Sequence, residues 1–424
     1  MIRKLIVATL MATFVAAIFW VSTATTEAQN VIVITAGQYN KRKFKGKKLY
    51  LLQGGVFINS KMICKGGAQI FGDFGAFIVV NQGAIITSKG TSAQSPVVFT
   101  SAQPAGERRR GDWGGIIFNG RAPINLPGGV AEGEGDTGQY GGTNPNDNSG
   151  VMRFIRVEYG GFPISPDNEL NCIAFQGVGS GTTVEFVQAA FGGDDGIEMF
   201  GGTVNLRNIV SVGASDDSID WTDGWTGNVQ FAVVQQRGDE ADNGFESDNN
   251  AENNDLTPRS APRMSNVTMI GAPDPATGPG SDLGMLIREG TAGQFRNFIV
   301  MGFRDPGIQI DQDATFEQVA NGSLNFQSFI LFNNGPGGNT NIANGDTANA
   351  LAGMPDMLEV DPQLTNPFSV TLPDFRPLAG SPALDANNVS PVFNDPFFVA
   401  APFVGAFDAT NDWTLGWTKW VFGS

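Results

Sequence analysis

Six short segments carry the same step, a small residue followed by a mostly apolar strand. They are Cys172–Phe175, Gly196–Met199, Ser218–Trp221, Gly244–Ser247, Gly284–Ile287 and Gly307–Ile310. Counted from their first residues, the intervals are 24, 22, 26, 40 and 23. The long interval holds Asn249–Arg263, a polar stretch rich in Asn, Asp and Pro that reads as an inserted loop. A second strand recurs behind each step: Val184–Phe191, Leu206–Val212, Val229–Gln235, Met264–Ile270, Phe295–Met301 and Phe326–Phe332. Asn208, Asn266, Asn297 and Ser328 hold a similar place in four of these, each followed by an apolar residue.

A period near 22–24 with short strands predicts an all-β solenoid, a single-stranded parallel β-helix in which each repeat is one coil. Apolar residues would fill a shared tube, and small polar residues in register could hydrogen-bond along the stack. Leucine-rich repeats have a similar length, but their L-x-x-L-x-L pattern is missing. Toward the N-terminus the pattern is less regular: Val56–Asn59, Ala68–Phe71, Ala76–Val80, Ala84–Thr87 and Val97–Thr100 are short strands cut by Gly. Gln103–Asp112 and Leu126–Ser149 are the largest expected loops, and the pattern fades beyond Asn333.

Composition supports strands over helices, because 56 of 424 residues are Gly and each Gly inside a helix costs ~1 kcal/mol relative to Ala. The chain contains no His, which excludes a Ser-His-Asp triad, a His-Cys dyad and any His-ligated zinc. Cys64 and Cys172 lie several coils apart and are expected to be free core thiols. Residues 1–28 read as a secretory signal: Arg3 and Lys4, the apolar run Leu5–Trp20, then small residues ending at Ala28. That run is short of the ~20 residues a spanning helix needs, so no membrane span is expected once the signal is removed. The expected layout is 1–28 signal peptide, 29–355 β-helix with inserted loops and 356–424 an irregular cap on the helix end.

Charge divides sharply. Residues 29–110 carry +10 and residues 111–424 carry −27, with no Lys between Lys89 and Lys419. An acidic body repels nucleic acid and suits cations or neutral ligands. The basic run Lys41–Lys48 reads as a charged cover on the first coil's edge, with contact to an acidic cell-surface polymer as the alternative. Gly177–Thr182 superficially fits a dinucleotide loop but leads into a strand, so it is a turn.

Gly111-Asp112-Trp113-Gly114-Gly115, just after Pro96–Ser101, resembles a large family of secreted bacterial proteins. So do Asp194-Asp195-Gly196-Ile197-Glu198 with Phe200-Gly201-Gly202, and the ending Gly405-Ala406-Phe407, Asp412-Trp413-Thr414 and Gly416-Trp417-Thr418. Arg376–Asp385 is similar to a C-terminal stretch of β-helix polysaccharide-active proteins. The resemblance implies a right-handed parallel β-helix of the pectate-lyase-like class and does not by itself supply an activity.

Candidate chemistry centres on acids. Asp194/Asp195/Glu198, Asp216/Asp217/Asp220 and Asp242/Asn243/Glu246 recur at one phase of three successive coils, so they would stack ~5 Å apart. Like charges at that spacing need Ca²⁺, a nearby Arg or full solvation. Three readings follow: Ca²⁺ held by the eight carboxylates, a solvated ridge whose Asp residues cap turns, or catalytic carboxylates chosen among Asp194, Asp195, Asp216 and Asp217. Lyases of the resembled class use Ca²⁺ with a basic residue, which here would have to be Arg207, Arg237 or Arg288. Trp221, Trp225 and Arg288 are candidate glycan contacts. Trp413, Trp417 and Trp420 read instead as a plug for the open end of the tube. The expected protein is secreted, extracellular or on the cell surface, is non-catalytic, and binds a polysaccharide or cell-surface component, with Ca²⁺ and no organic cofactor. A polysaccharide lyase or glycoside hydrolase is the first alternative, and a structural stalk the second.

Overall fold

The computed structural model describes residues 31–165, 168–272, 281–352, 354 and 356–424, so the expected signal peptide, 1–28, lies outside the described residues. Two parallel ladders carry the fold. The short ladder stacks Ile116–Asn119, Ile173–Gln176, Ile197–Phe200, Ile219–Thr222, Phe245–Ser247, Met285–Ile287 and Ile308–Ile310. The long ladder stacks Gly150–Glu158, Thr183–Ala190, Asn205–Val212, Asn228–Gln235, Arg263–Ile270, Gly293–Met301 and Leu324–Phe332, and ends on Met357–Glu359. The array therefore runs a few residues past the expected boundary at 355. Strands Ile32–Phe44 and Leu49–Lys65 begin it, with Lys41, Arg42 and Lys43 on the outermost strand. Asn249–Arg263 is a loop without strands until Arg263, tied up by its own Asn side chains, as when Asn249 Nδ2 donates to the Asn254 and Leu256 carbonyls. The other large loop contains a small hairpin, Val130–Glu132 with Gln139–Gly141.

Each long strand bends midway at a left-handed residue: Phe154, Phe186, Asn208, Phe231, Asn266, Asn297 and Ser328 have φ between 49° and 61°. Asn tolerates this conformation, which explains its recurrence. The side chains do not form a ladder up the stack, however. Asn266 Nδ2 donates to the Phe403 carbonyl, Asn297 Nδ2 to that of Ser390, and Ser328 Oγ meets Ser390 Oγ. They point outward and hold the C-terminal segment.

That segment corrects the expected end cap. Residues 364–424 lie along the long-ladder flank rather than over the end of the tube. Leu364, Phe375, Val404, Phe407, Trp417 and Trp420 cover the outward apolar residues Val210, Val212, Val233, Ile270 and Ile299. Trp417 meets the stacked Phe154 and Phe186 rings edge-on, at 6.0 and 6.1 Å. The physical reason is the outer face itself: long strands apolar on both faces must be covered on both. The C-terminal end of the tube is closed instead by two helices, α1 (Asp313–Ala320) and α2 (Asp346–Leu351), which press Phe316, Val319 and Leu351 onto the core. Cys64 and Cys172 are buried and free, and burial pushes the Cys172 thiol up to about 12.

Candidate metal centre

The acidic column grows out of the pleat of the short ladder. Ile197 and Met199 point into the tube, as do Ile219 and Trp221, so Glu198 and Asp220 take the outer face. Register continues the outer row as Ala174, Glu198, Asp220, Glu246, Leu286 and Gln309. Three acids in consecutive coils therefore sit directly above one another.

The turns before these strands supply the rest. Asp195 Oδ1 accepts the Asp217 backbone N–H at 3.0 Å, and Asp217 Oδ1 accepts that of Asn243 at 2.6 Å. These two acids thus staple one coil to the next, as the turn-capping reading expects. Their remaining oxygens meet other acids. Asp194, Asp195 and Asp216 bring oxygens within 4.8 Å of one another, as do Asp195, Glu198 and Asp220, and Asp216, Asp217 and Asp242. Glu198 also accepts Asn171 Nδ2 at 2.5 Å, while Asp220 Oδ1 is buried without a hydrogen-bond partner.

Cations reach only the far end of the column. Arg288 forks onto Asp248, with Nε–Oδ1 at 3.0 Å, and also binds Glu246. Arg304 pairs with Asp282 and Asp305. Among the described residues, no Lys or Arg makes a salt bridge to Asp194, Asp195, Glu198, Asp216, Asp217 or Asp220. Burial, then the neighbouring acids, pushes Asp194 up to about 7. Burial first, then the surrounding acids, holds Asp195, Glu198, Asp217 and Asp220 well above the carboxylate range. Burial also raises Asp216 and Asp242, and takes Glu246 up to about 7. An all-oxygen donor set of this density fits a hard divalent cation such as Ca²⁺, which takes six to eight oxygens.

The acids thus come from the outer face of the short ladder (Glu198, Asp220, Glu246) and from the turns that lead into it (Asp194, Asp195, Asp216, Asp217, Asp242). The family is now decided by the chain itself: residues 36–356 match the model of the pectate-lyase-like β-helix domain. The chain belongs to that family. No curated protein and no solved structure matches it.

In this pectate-lyase-like domain the expected glycan contacts fail. Trp221 and Trp225 are fully buried in the tube core, where Trp221 Nε1 donates to Thr291 Oγ1 and Trp225 Nε1 to the Val204 carbonyl. Alternation places Trp221 inward beside Ile219, so neither indole offers a face to a sugar. Arg288 is committed to Asp248 and Glu246, and those carboxylates raise its pKa further. The guanidinium therefore stays protonated, which does not suit a base. Arg207 lies over the Phe397 ring at 4.6 Å, and Arg237 donates to the Trp420 carbonyl, so both belong to the covered flank.

Two further buried acids were not revealed by the repeat: Glu134, beside Asp194 of the column, and Asp223, set apart from it with Tyr140 and Asn250. Glu134, in the Gly-rich loop, is pushed up to about 8 by burial and then by Asp194 and Glu169. Asp223 rises to about 6 through burial while accepting hydrogen bonds from Tyr140 and Asn250. Neither occupies the repeating phase, and only the folded chain brings Glu134 near.

Proposed function

We propose that this domain is an exported, non-catalytic β-helix protein that binds Ca²⁺ along its acidic column and presents it to an extracellular polysaccharide or cell-surface component. One observation carries the reading: three linked trios of acids, each with oxygens within 4.8 Å of one another, in which, among the described residues, Asp194, Asp195, Glu198, Asp216, Asp217 and Asp220 form no salt bridge and Asp220 Oδ1 has no hydrogen-bond partner. The cost of crowding buried like charges is offset by a cation bound only when the coils are stacked. Asp194, Asp195, Glu198, Asp216, Asp217, Asp220, Asp242 and Glu246 supply the oxygens. A bound cation leaves coordination positions that glycan hydroxyls or carboxylates can fill, which gives an acidic surface a route to a polymer it would otherwise repel.

The lyase alternative loses support because each Arg that could act as base is buried under the C-terminal segment or ion-paired. Hydrolysis remains the second reading, favoured by Asp194, whose pKa near 7 suits a general acid. Calorimetric titration of the metal-depleted protein with Ca²⁺, followed by a glycan array and a reducing-sugar assay, tests both readings. Saturable Ca²⁺ binding without product supports the first. Sugar release abolished by Asp194→Asn would replace it with the second, and absence of Ca²⁺ binding would leave a turn-capping ridge.

A further inference from the structure

We propose that a cleft on the covered flank binds a small amphiphilic carboxylate, with Arg237 receiving the anionic group. The cleft lies between the long-ladder flank and the C-terminal segment and encloses about 600 Å³, within the range of small-molecule sites. Four large apolar side chains form its mouth and remain exposed: Phe368 by 41%, Val370 by 53%, Val421 by 41% and Phe422 by 40%. Scattered single apolar residues on a surface mean little, but four around one concavity mark a binding surface.

Its polar floor is equally specific. Arg237 is buried and donates to Gln235 Oε1 at 2.5 Å, the Trp420 carbonyl at 2.8 Å and the Val370 carbonyl at 3.4 Å. These partners fix the guanidinium without neutralising it. Asp239 is the acid that faces it, but Asp239 is held by Arg110 at 3.0 Å, and Glu240 also pairs with Arg110. Among the described residues no carboxylate forms a salt bridge with Arg237. Beside it, Gln236 is buried, and its Nε2 donates to the Asp242 carbonyl while its Oε1 has no partner. Burial lowers the Arg237 pKa to about 10, so the side chain stays cationic at neutral pH. A buried cation without an anion, an unpartnered acceptor and apolar walls together call for an apolar body bearing a carboxylate. A hydroxyl near that carboxylate would satisfy Gln236 Oε1. The inference is independent of the Ca²⁺ reading, because none of the column's acids lines this cleft.

The test is calorimetric titration of the full chain with octanoate, 3-hydroxyoctanoate and 1-octanol. Octanoate should bind at least tenfold more tightly than 1-octanol, as a charge-assisted hydrogen bond requires, and 3-hydroxyoctanoate at least as tightly as octanoate. Arg237→Gln should abolish the preference for the acid over the alcohol. Because Arg237 also holds the C-terminal segment, Val370→Asp on the exposed rim provides a second variant, which should weaken octanoate at least tenfold. Equal affinities for octanoate and 1-octanol would overturn the proposal. So would a preference that survives both substitutions, or no binding of any probe at millimolar concentration.

Discussion

The two flanks of one tube solve opposite problems. On the short-ladder flank the outer row is Glu198, Asp220 and Glu246, largely buried and crowded with charge. On the long-ladder flank the outer row runs Val210, Val233, Thr268, Ile299 and Ile330, sealed under Phe and Trp from the C-terminal segment. Both flanks hang on the same inward residues and the same stacking. The lesson is that the interior of a β-helix specifies the fold, while the outer parity of each ladder is free to specify what it meets. An apolar outer row obtains its cover from the chain itself. An acidic outer row obtains only part of its compensation from the chain, through Arg288 at Glu246, and on the Ca²⁺ reading proposed above the rest comes from solution.

The largest expected effect lies on the covered flank. Trp417→Ala should cost about 3–5 kcal/mol of stability in urea unfolding, because a fully buried indole against Phe154 and Phe186 is lost. A loss under about 1 kcal/mol would mean that the segment is not seated there, and the contrast between flanks would disappear.

Next comes the cation. At free Ca²⁺ of 100 times Kd, unfolding should require about 2.7 kcal/mol more than in EDTA, and Mg²⁺ at matched ionic strength should do less. Asp195→Asn and Asp217→Asn should weaken the binding. Asn retains the Oδ1 that accepts the Asp217 or Asn243 backbone N–H, so the coils should stay stapled. Identical midpoints in EDTA and Ca²⁺ would sink the site.

A smaller effect is the metal-free pH dependence. Folded-state pKa values raised above the unfolded ~4 mean that the native state binds more protons in that window. In EDTA the thermal midpoint should therefore fall as pH rises from about 4 to about 7, the range spanned by Asp194 and Glu246. Ca²⁺ should flatten that slope, since binding displaces the protons. A midpoint that climbs over this range would show that the column is already neutralised. Asp408→Asn closes the series: Asp408 Oδ1 accepts the Thr410 and Asn411 amides and the Thr410 hydroxyl, all of which an Asn Oδ1 can still accept, so stability should move by no more than about 0.5 kcal/mol and Ca²⁺ affinity not at all.

How much of this could be read in the sequence depended on repetition. The coil was legible because each rung must refill the same tube, which forces Ile197, Ile219, Phe245, Met285 and Ile308 into one phase. The acids were legible for the same reason. Trp221 was misread although the signal was present: it lies two residues after Ile219 and shares its inward parity. The tail's position had a signal too. Ile209-Val210-Ser211-Val212 and, one coil on, Ala232-Val233-Val234 are apolar at both parities, the mark of a strand buried on both faces. Glu134 had none, because its approach to Asp194 depends on how an irregular loop folds back.

The path of the C-terminal segment also alters how the array can come apart. A solenoid whose coils touch only their neighbours can fray from an end, one rung at a time. Here Ser390 is bonded to Asn297 and Ser328, Phe403 to Asn266, Val399 to Gln230, and Gly423 to Gly106. A single strand of chain is thus fastened to coils far apart in the stack. Unravelling a rung under it means releasing contacts to rungs that are still intact, which couples distant coils into one cooperative unit. The same geometry sets an order of events, since this fastening can close only after the coils beneath it have stacked and presented their outer faces.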